Sequence, residues 1–168
     1  MSARGPDNLP AIGTRFVTRG RTVTEADVVM FAALTGDWHP QHSDAEWARS
    51  SPFGERIAHG LLVLSFAVGL GGVDHSRVVA LRRLRDVVFK RPVRFGDTIS
   101  AEVTVASARP IRPGTALVGL DWTVSNARGE TLVRAGIEVL WRTGDAPAPP
   151  GAMTDASSLG LPDGVIPS

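Results

Sequence analysis

Asp37 and His42 are the residues in this sequence best suited to moving a proton together. They stand five positions apart, with Pro40 between them. In a regular helix that spacing would set them about 140° apart around the axis. Pro40 removes a backbone donor and biases His39 away from helical geometry, so Asp37 to Asp44 is expected as a loop. In a loop both side chains can turn toward one small space. A carboxylate beside an imidazole can take a proton from water and return it elsewhere. The same spacing suits an aspartate that caps a turn and a histidine that faces solvent, and spacing alone leaves both open.

His59 and Gly60 form the second feature, at the head of a very apolar stretch. The first N–H groups of a helix have no intrahelical acceptor and lie at its positive end. With no side chain at Gly60, a carbonyl oxygen could come close to its N–H. Relief of crowding between helix and sheet explains the glycine equally well. His39 could add a polar contact to the site or serve the local structure, and His75 follows a loop-like Gly71-Gly72-Val73-Asp74. A metal site needs three or four converging ligands, and the two-residue gap between His39 and His42 is weak support, so no metal is expected. No serine lies in a G-x-S-x-G elbow, and Gly69-Leu70-Gly71-Gly72 follows a helix, which excludes the usual nucleotide fingerprint. Arg82, Arg83, Arg85, Lys90, Arg91 and Arg94 crowd one segment. They suit a solvated strand face, or a surface that grips phosphate through the guanidinium fork.

Composition narrows the chemistry further. The chain has 168 residues, no cysteine, no tyrosine and a net charge of +1, and Lys90 is its one lysine. Disulfides, thiol nucleophiles and cysteine-bound zinc are excluded, and Schiff-base chemistry would rest on Lys90 alone. The charge gives no reason to expect nucleic-acid binding. The first residues lack an apolar core of the secretory type, and the longest apolar run, Leu61 to Val73, is too short to span a bilayer. A cytoplasmic protein with no membrane association is expected.

The elements that must position these residues can be read in outline. Residues 1–13 form an irregular lead-in, and Arg15 to Thr18 a short edge strand. Thr24 and Asp27 suit a capping box for a helix that ends near Gly36. Asp44 can cap a short helix through Trp47 and Arg49. Ile57 to Leu70 is apolar nearly all round, which predicts a helix buried on most of its surface. Strands follow over about 78–95, 98–108, 115–126 and 131–142, separated by turn-forming residues, and the first should bend near Pro92. From 144 onward the chain is rich in proline and glycine and lacks a periodic apolar face. Helices followed by consecutive strands imply an α+β fold, with an antiparallel sheet wrapped around the apolar helix.

Three motifs carry a family resemblance. Thr35 to Asp44, with Gly36-Asp37-Trp38-His39-Pro40-Gln41-His42-Ser43-Asp44, resembles the G-D-x-N-P-x-H-x-D motif of MaoC-like dehydratases and (R)-specific enoyl-CoA hydratases. Ile57-Ala58-His59-Gly60-Leu61-Leu62 is similar to the His-Gly that opens their central helix. Phe89 to Thr98 is similar to their R-P-V-x-x-G-D-T strand end. Together the motifs cover roughly residues 15–142. The resemblance implies a single hot-dog domain over 14–143, a homodimer, and thioester substrates carried on CoA or acyl carrier protein. It implies catalysis by Asp37 and His42, an oxyanion contact from the Gly60 N–H, and no cofactor. Trp38, His39, His59, Lys90 and Arg91 are the further candidates for substrate contact. His39 departs from the family, which has asparagine there. Two other activities stay open on sequence: a hot-dog acyl thioesterase, and a repurposed or non-catalytic acyl-binding protein.

Overall fold

A computed structural model describes residues 8–144 of the chain. Residues 1–7 of the expected lead-in, and the proline-rich tail from 145, lie outside the described residues. The elements run β1 (Arg15–Val17), β2 (Arg21–Thr22), α1 (Glu25–Thr35), α2 (Pro40–Ser43), α3 (Ala45–Arg49), α4 (Gly60–Leu70), β3 (Val78–Phe89), β4 (Thr98–Arg112), β5 (Thr115–Asn126) and β6 (Thr131–Arg142). The sheet is antiparallel with strand order β1-β4-β5-β6-β3, and β2 also pairs with β4. No helix among the described residues is long and apolar enough to cross a membrane.

Alternation builds the sheet's inner face. Ile99, Ala101, Val103 and Val105 of β4 are buried, whereas Ser100, Glu102 and Thr104 between them are less so. They join Trp122 and Val124 of β5 and Ile137 and Val139 of β6 in one core with Leu62, Val63, Leu64 and Ala67 of α4. Each such aliphatic side chain contributes about 1.5–3 kcal/mol through removal from water. The fold is therefore α+β, with the sheet curved around α4, as expected. That helix is not buried all round: Leu61, Ser65 and Gly69, four residues apart, form an outward stripe.

Glycines let both ends of α4 approach aromatic rings. A Cβ on Gly71 would stand 2.6 Å from the Trp122 ring, and one on Gly60 would stand 2.7 Å from the Phe89 ring. These distances are too short for any side chain, so both glycines fix how the helix sits against the sheet.

Several boundaries differ from expectation. The loop between α1 and α3 contains a single helical turn, α2, because Pro40 stands at its first position, where the missing N–H costs nothing. The central helix starts at Gly60 and not at Ile57, since Ile57 bridges to Arg94 and the Ala58 N–H donates to the Val93 carbonyl. The strand expected over 78–95 ends at Phe89: the Lys90 and Arg91 N–H groups both turn to the Leu132 carbonyl, and Pro92 has none to give. Its bends fall earlier than Pro92, at register shifts flanking Ala80, Arg83 and Val88. β4 runs on through Pro110, with a register shift beside it that accommodates the missing donor.

Candidate active site

The segment that carries the expected pair is held at every step. The capping box of Thr24 and Asp27 starts α1, and Gly36 ends it in the left-handed conformation at φ 79°. The Asp37 N–H donates to Thr35 Oγ1 at 3.3 Å, and the His39 N–H to Asp37 Oδ1 at 3.3 Å. Ser43 Oγ donates back to the Trp38 and His39 carbonyls. Asp44 then caps α3 by accepting from the Glu46 and Trp47 N–H groups at 2.9 and 3.0 Å. These contacts hold the segment so that Asp37 and His42 come to one place.

His42 is buried, at 7% exposure. Its Nδ1 stands 2.7 Å from the Ile57 carbonyl oxygen. A carbonyl only accepts, so Nδ1 carries the hydrogen and the neutral ring keeps Nε2 bare as a base. Burial is the chief influence on this imidazole and holds its pKa below the ordinary value. The Ile57 carbonyl opposes that shift, His59 adds to it, Asp37 opposes it, and His39 adds to it.

His59 does more than mark the helix start. It is only 3% exposed, and its ring stacks on His42 with centroids 3.8 Å apart. Its Nε2 donates to the Asp37 backbone carbonyl at 3.0 Å, and Asp37 Oδ2 lies 3.8 Å from the same nitrogen. His59 therefore touches both members of the pair while preceding Gly60. Nothing in its sequence setting, beyond the His-Gly motif, signalled the stacking. The Asp37 side chain is 54% exposed and meets the others from the solvent side.

Ligand-capable atoms of Asp37, His42 and His59 lie within 4.8 Å of one another. The hydrogen on His59 Nε2 engages the Asp37 carbonyl, so that nitrogen has no lone pair to offer a cation. His42 likewise gives its Nδ1 hydrogen to the Ile57 carbonyl, an arrangement that fits proton chemistry.

A cavity of about 390 Å³ opens beside His42 and Gly60. Phe53, Val63 and Val133 give it apolar walls, and the exposed Lys90 and Arg91 stand on its lining. Gly60, the first residue of α4, has an N–H without an intrahelical acceptor and is among the residues that line the same cavity. Trp38 and His39 are outside this lining, as is Asp37. Gln41, whose Nε2 is 3.5 Å from His42 Nε2, and Phe89, packed on Gly60, belong to the site though sequence reasoning did not single them out. Phe89 carries no local signal because its neighbour Gly60 comes from distant chain, whereas Gln41 adjoins His42 and only its amide's orientation was hidden.

The crowded arginines are largely compensated. Arg82 pairs with Glu138 at 2.6 Å, Arg85 with Asp121 at 3.7 Å, Arg91 with Glu130 at 3.9 Å, and Arg94 with Glu55. Such pairs leave little net field for phosphate. Lys90 has no carboxylate partner among the described residues.

Comparison with known proteins gives the family and the fold. The family described as MaoC like domain matches residues 7–127. An (R)-specific enoyl-CoA hydratase of Rhodospirillum rubrum is 37% identical over 90 residues, covering 54% of this chain and 62% of that protein, less than two thirds of its length. An (R)-specific enoyl-CoA hydratase of Aeromonas caviae is 34% identical over 112 residues, covering 65% of this chain and 84% of that protein. A solved structure titled as a monoamine oxidase regulatory protein from Archaeoglobus fulgius superposes with a TM-score of 0.76 at 38% identity, over 80% of this chain and 92% of that one. The antiparallel sheet around α4 is the hot-dog fold.

Proposed function

The chain belongs to the MaoC-like domain family, and from that premise we propose that it adds water reversibly across the double bond of 2-enoyl thioesters, giving (R)-3-hydroxyacyl thioesters. The observation that carries this reading is the state of His42: buried, with Nδ1–H given to the Ile57 carbonyl and Nε2 left as a base, on a residue that lines the same cavity as Gly60. In hydration, His42 and Asp37 hold a water and take its proton as the oxygen attacks C3. The proton returned to C2 balances the addition. Charge gathering on the thioester oxygen is met by the Gly60 N–H and the positive end of α4. Positioned acid–base groups supply on the order of 10²–10⁴-fold, and an oxyanion donor roughly 10²–10³-fold. The sequence needs no nucleophile for this chemistry, which suits a chain without cysteine.

The working domain is taken as 14–143. The apolar wall of Phe53, Val63 and Val133 suits the acyl chain, and the unpaired Lys90 suits a phosphate of CoA or of a carrier protein's prosthetic arm. A homodimer through the β3 edge is part of the same reading. Val79, Leu81, Leu84 and Val88 are exposed along that edge, a row of apolar groups that a second copy would cover.

The test follows enoyl-thioester absorbance with CoA and carrier-protein substrates, in parallel with a thiol reagent. Loss of the double bond without release of thiol is expected. Thiol release with the double bond intact would favour a thioesterase, and tight binding with neither change a non-catalytic acyl binder.

A further inference from the structure

The residue that departs from the family motif is His39, and its place in the fold suggests what it does. It is the residue before α2, the single turn that carries His42. Its Nδ1 accepts a hydrogen bond from the Gln41 N–H at 3.2 Å. That is the capping contact an asparagine makes through its side-chain oxygen. The two residues differ in one respect: an amide oxygen accepts at every pH, whereas an imidazole nitrogen accepts only while it is bare. A second proton on His39 turns Nδ1 into a donor facing another donor.

We propose that His39 is a positioning residue that holds α2, and through it His42, in place only while its own ring is neutral, so that this chain loses catalytic alignment in acid where an asparagine would keep it. The proposal rests on the hydratase reading for its catalytic consequence, but the cap itself does not. The groups that face His39 are few. From the preceding loop, Asp37 Oδ1 accepts its backbone N–H at 3.3 Å. From α2, the His42 ring lies edge-on with centroids 6.3 Å apart. From α3, the Trp47 ring stands perpendicular at 5.4 Å. The carboxylates of that element are engaged elsewhere, Asp44 by the Glu46 and Trp47 N–H groups and Glu46 by Arg49. Protonation of His39 therefore removes an acceptor and brings positive charge toward His42, and both changes oppose the base.

Two measurements on the full chain test this, each comparing wild type with His39→Asn. The first follows hydrogen exchange of the Gln41 amide by NMR as pH falls from about 8 to about 5, the range in which imidazoles take up charge. Protection of this amide should drop roughly five-fold in wild type, the size of a lost helix cap, and hold steady in the variant. The second is kcat/KM for an enoyl thioester over the same range. The ratio of wild type to variant should fall roughly five-fold toward acid, whatever its value at pH 8. Parallel curves in both measurements would overturn the proposal, because a merely structural residue changes both proteins equally at every pH. Absence of turnover in both proteins would count against the hydratase reading alone, and the exchange data would still decide the cap.

Discussion

The two ends of the loop from Asp37 to Asp44 are built on opposite terms. At one end His42 is buried, stacked on His59 and tied by a 2.7 Å hydrogen bond to Ile57. At the other, Asp37 keeps more than half of its side chain in solvent and is fastened mainly through its backbone, by the His59 bond to its carbonyl. The contrast separates what the fold sets in advance from what substrate must complete. Burial chooses the protonation state of His42 before any ligand arrives. The carboxylate of Asp37 is left within reach of water, and apo hydrogen bonds at such sites are often long until a substrate closes them.

Substitutions can break this contrast. His42→Ala should lower kcat/KM by on the order of 10²–10⁴-fold, the full contribution of a positioned base. Gly60→Ala should lower it roughly 10²-fold, because a Cβ at 2.7 Å from the Phe89 ring must displace the helix start and with it the oxyanion N–H. A Gly60→Ala/Phe89→Ala double variant, which removes the clash, should recover part of that loss. Steady-state kinetics on an enoyl thioester reads both.

Stability should follow the same division with a smaller amplitude. His42→Ala leaves the Ile57 carbonyl without its donor and removes a stacked ring, and should cost about 1–3 kcal/mol by denaturant unfolding. Asp37→Asn, exposed and held by its backbone, should stay within about 0.5 kcal/mol. Equal losses at the two positions would dissolve the comparison.

The smallest expected effect is on the pH profile. Burial lowers the basicity of His42, so its base form persists to lower pH than in a free imidazole. The acid limb of kcat/KM, read in the His39→Asn variant where the cap holds at every pH, should therefore fall below the ordinary imidazole value of about 6.5. The same direction makes folding sensitive to acid: below that value the unfolded chain binds a proton that the native His42 resists, and stability declines until the native ring also charges.

Much of this was legible in the chain itself. Thr24, Asp27 and Gly36 act over three or four residues, so local chemistry announced α1 and its ends. The alternation in Ser100 to Val105 announced β4 and its buried face. Asp37, His42 and Gly60 stood out by type and spacing, and the family resemblance drew them together. The rest depends on contacts made across long stretches of chain. Phe89 meets Gly60, the Ile57 carbonyl meets His42, and the His59 ring lies on His42 only because strand, loop and helix converge. Pro40 misled for a different reason: the feature that breaks a helix interior also favours a helix's first position, and the neighbours that decide between these are three-dimensional.

The central claim is that Asp37 and His42 work as one acid–base unit on an enoyl thioester. A double-mutant cycle in single-turnover hydration tests it most directly, using wild type, Asp37→Asn, His42→Ala and the double variant. If the pair is a unit, the double variant is no slower than the more damaging single one, as for catalytic groups that share a step. Losses that multiply, with each substitution costing the same fold in either background, would contradict the account.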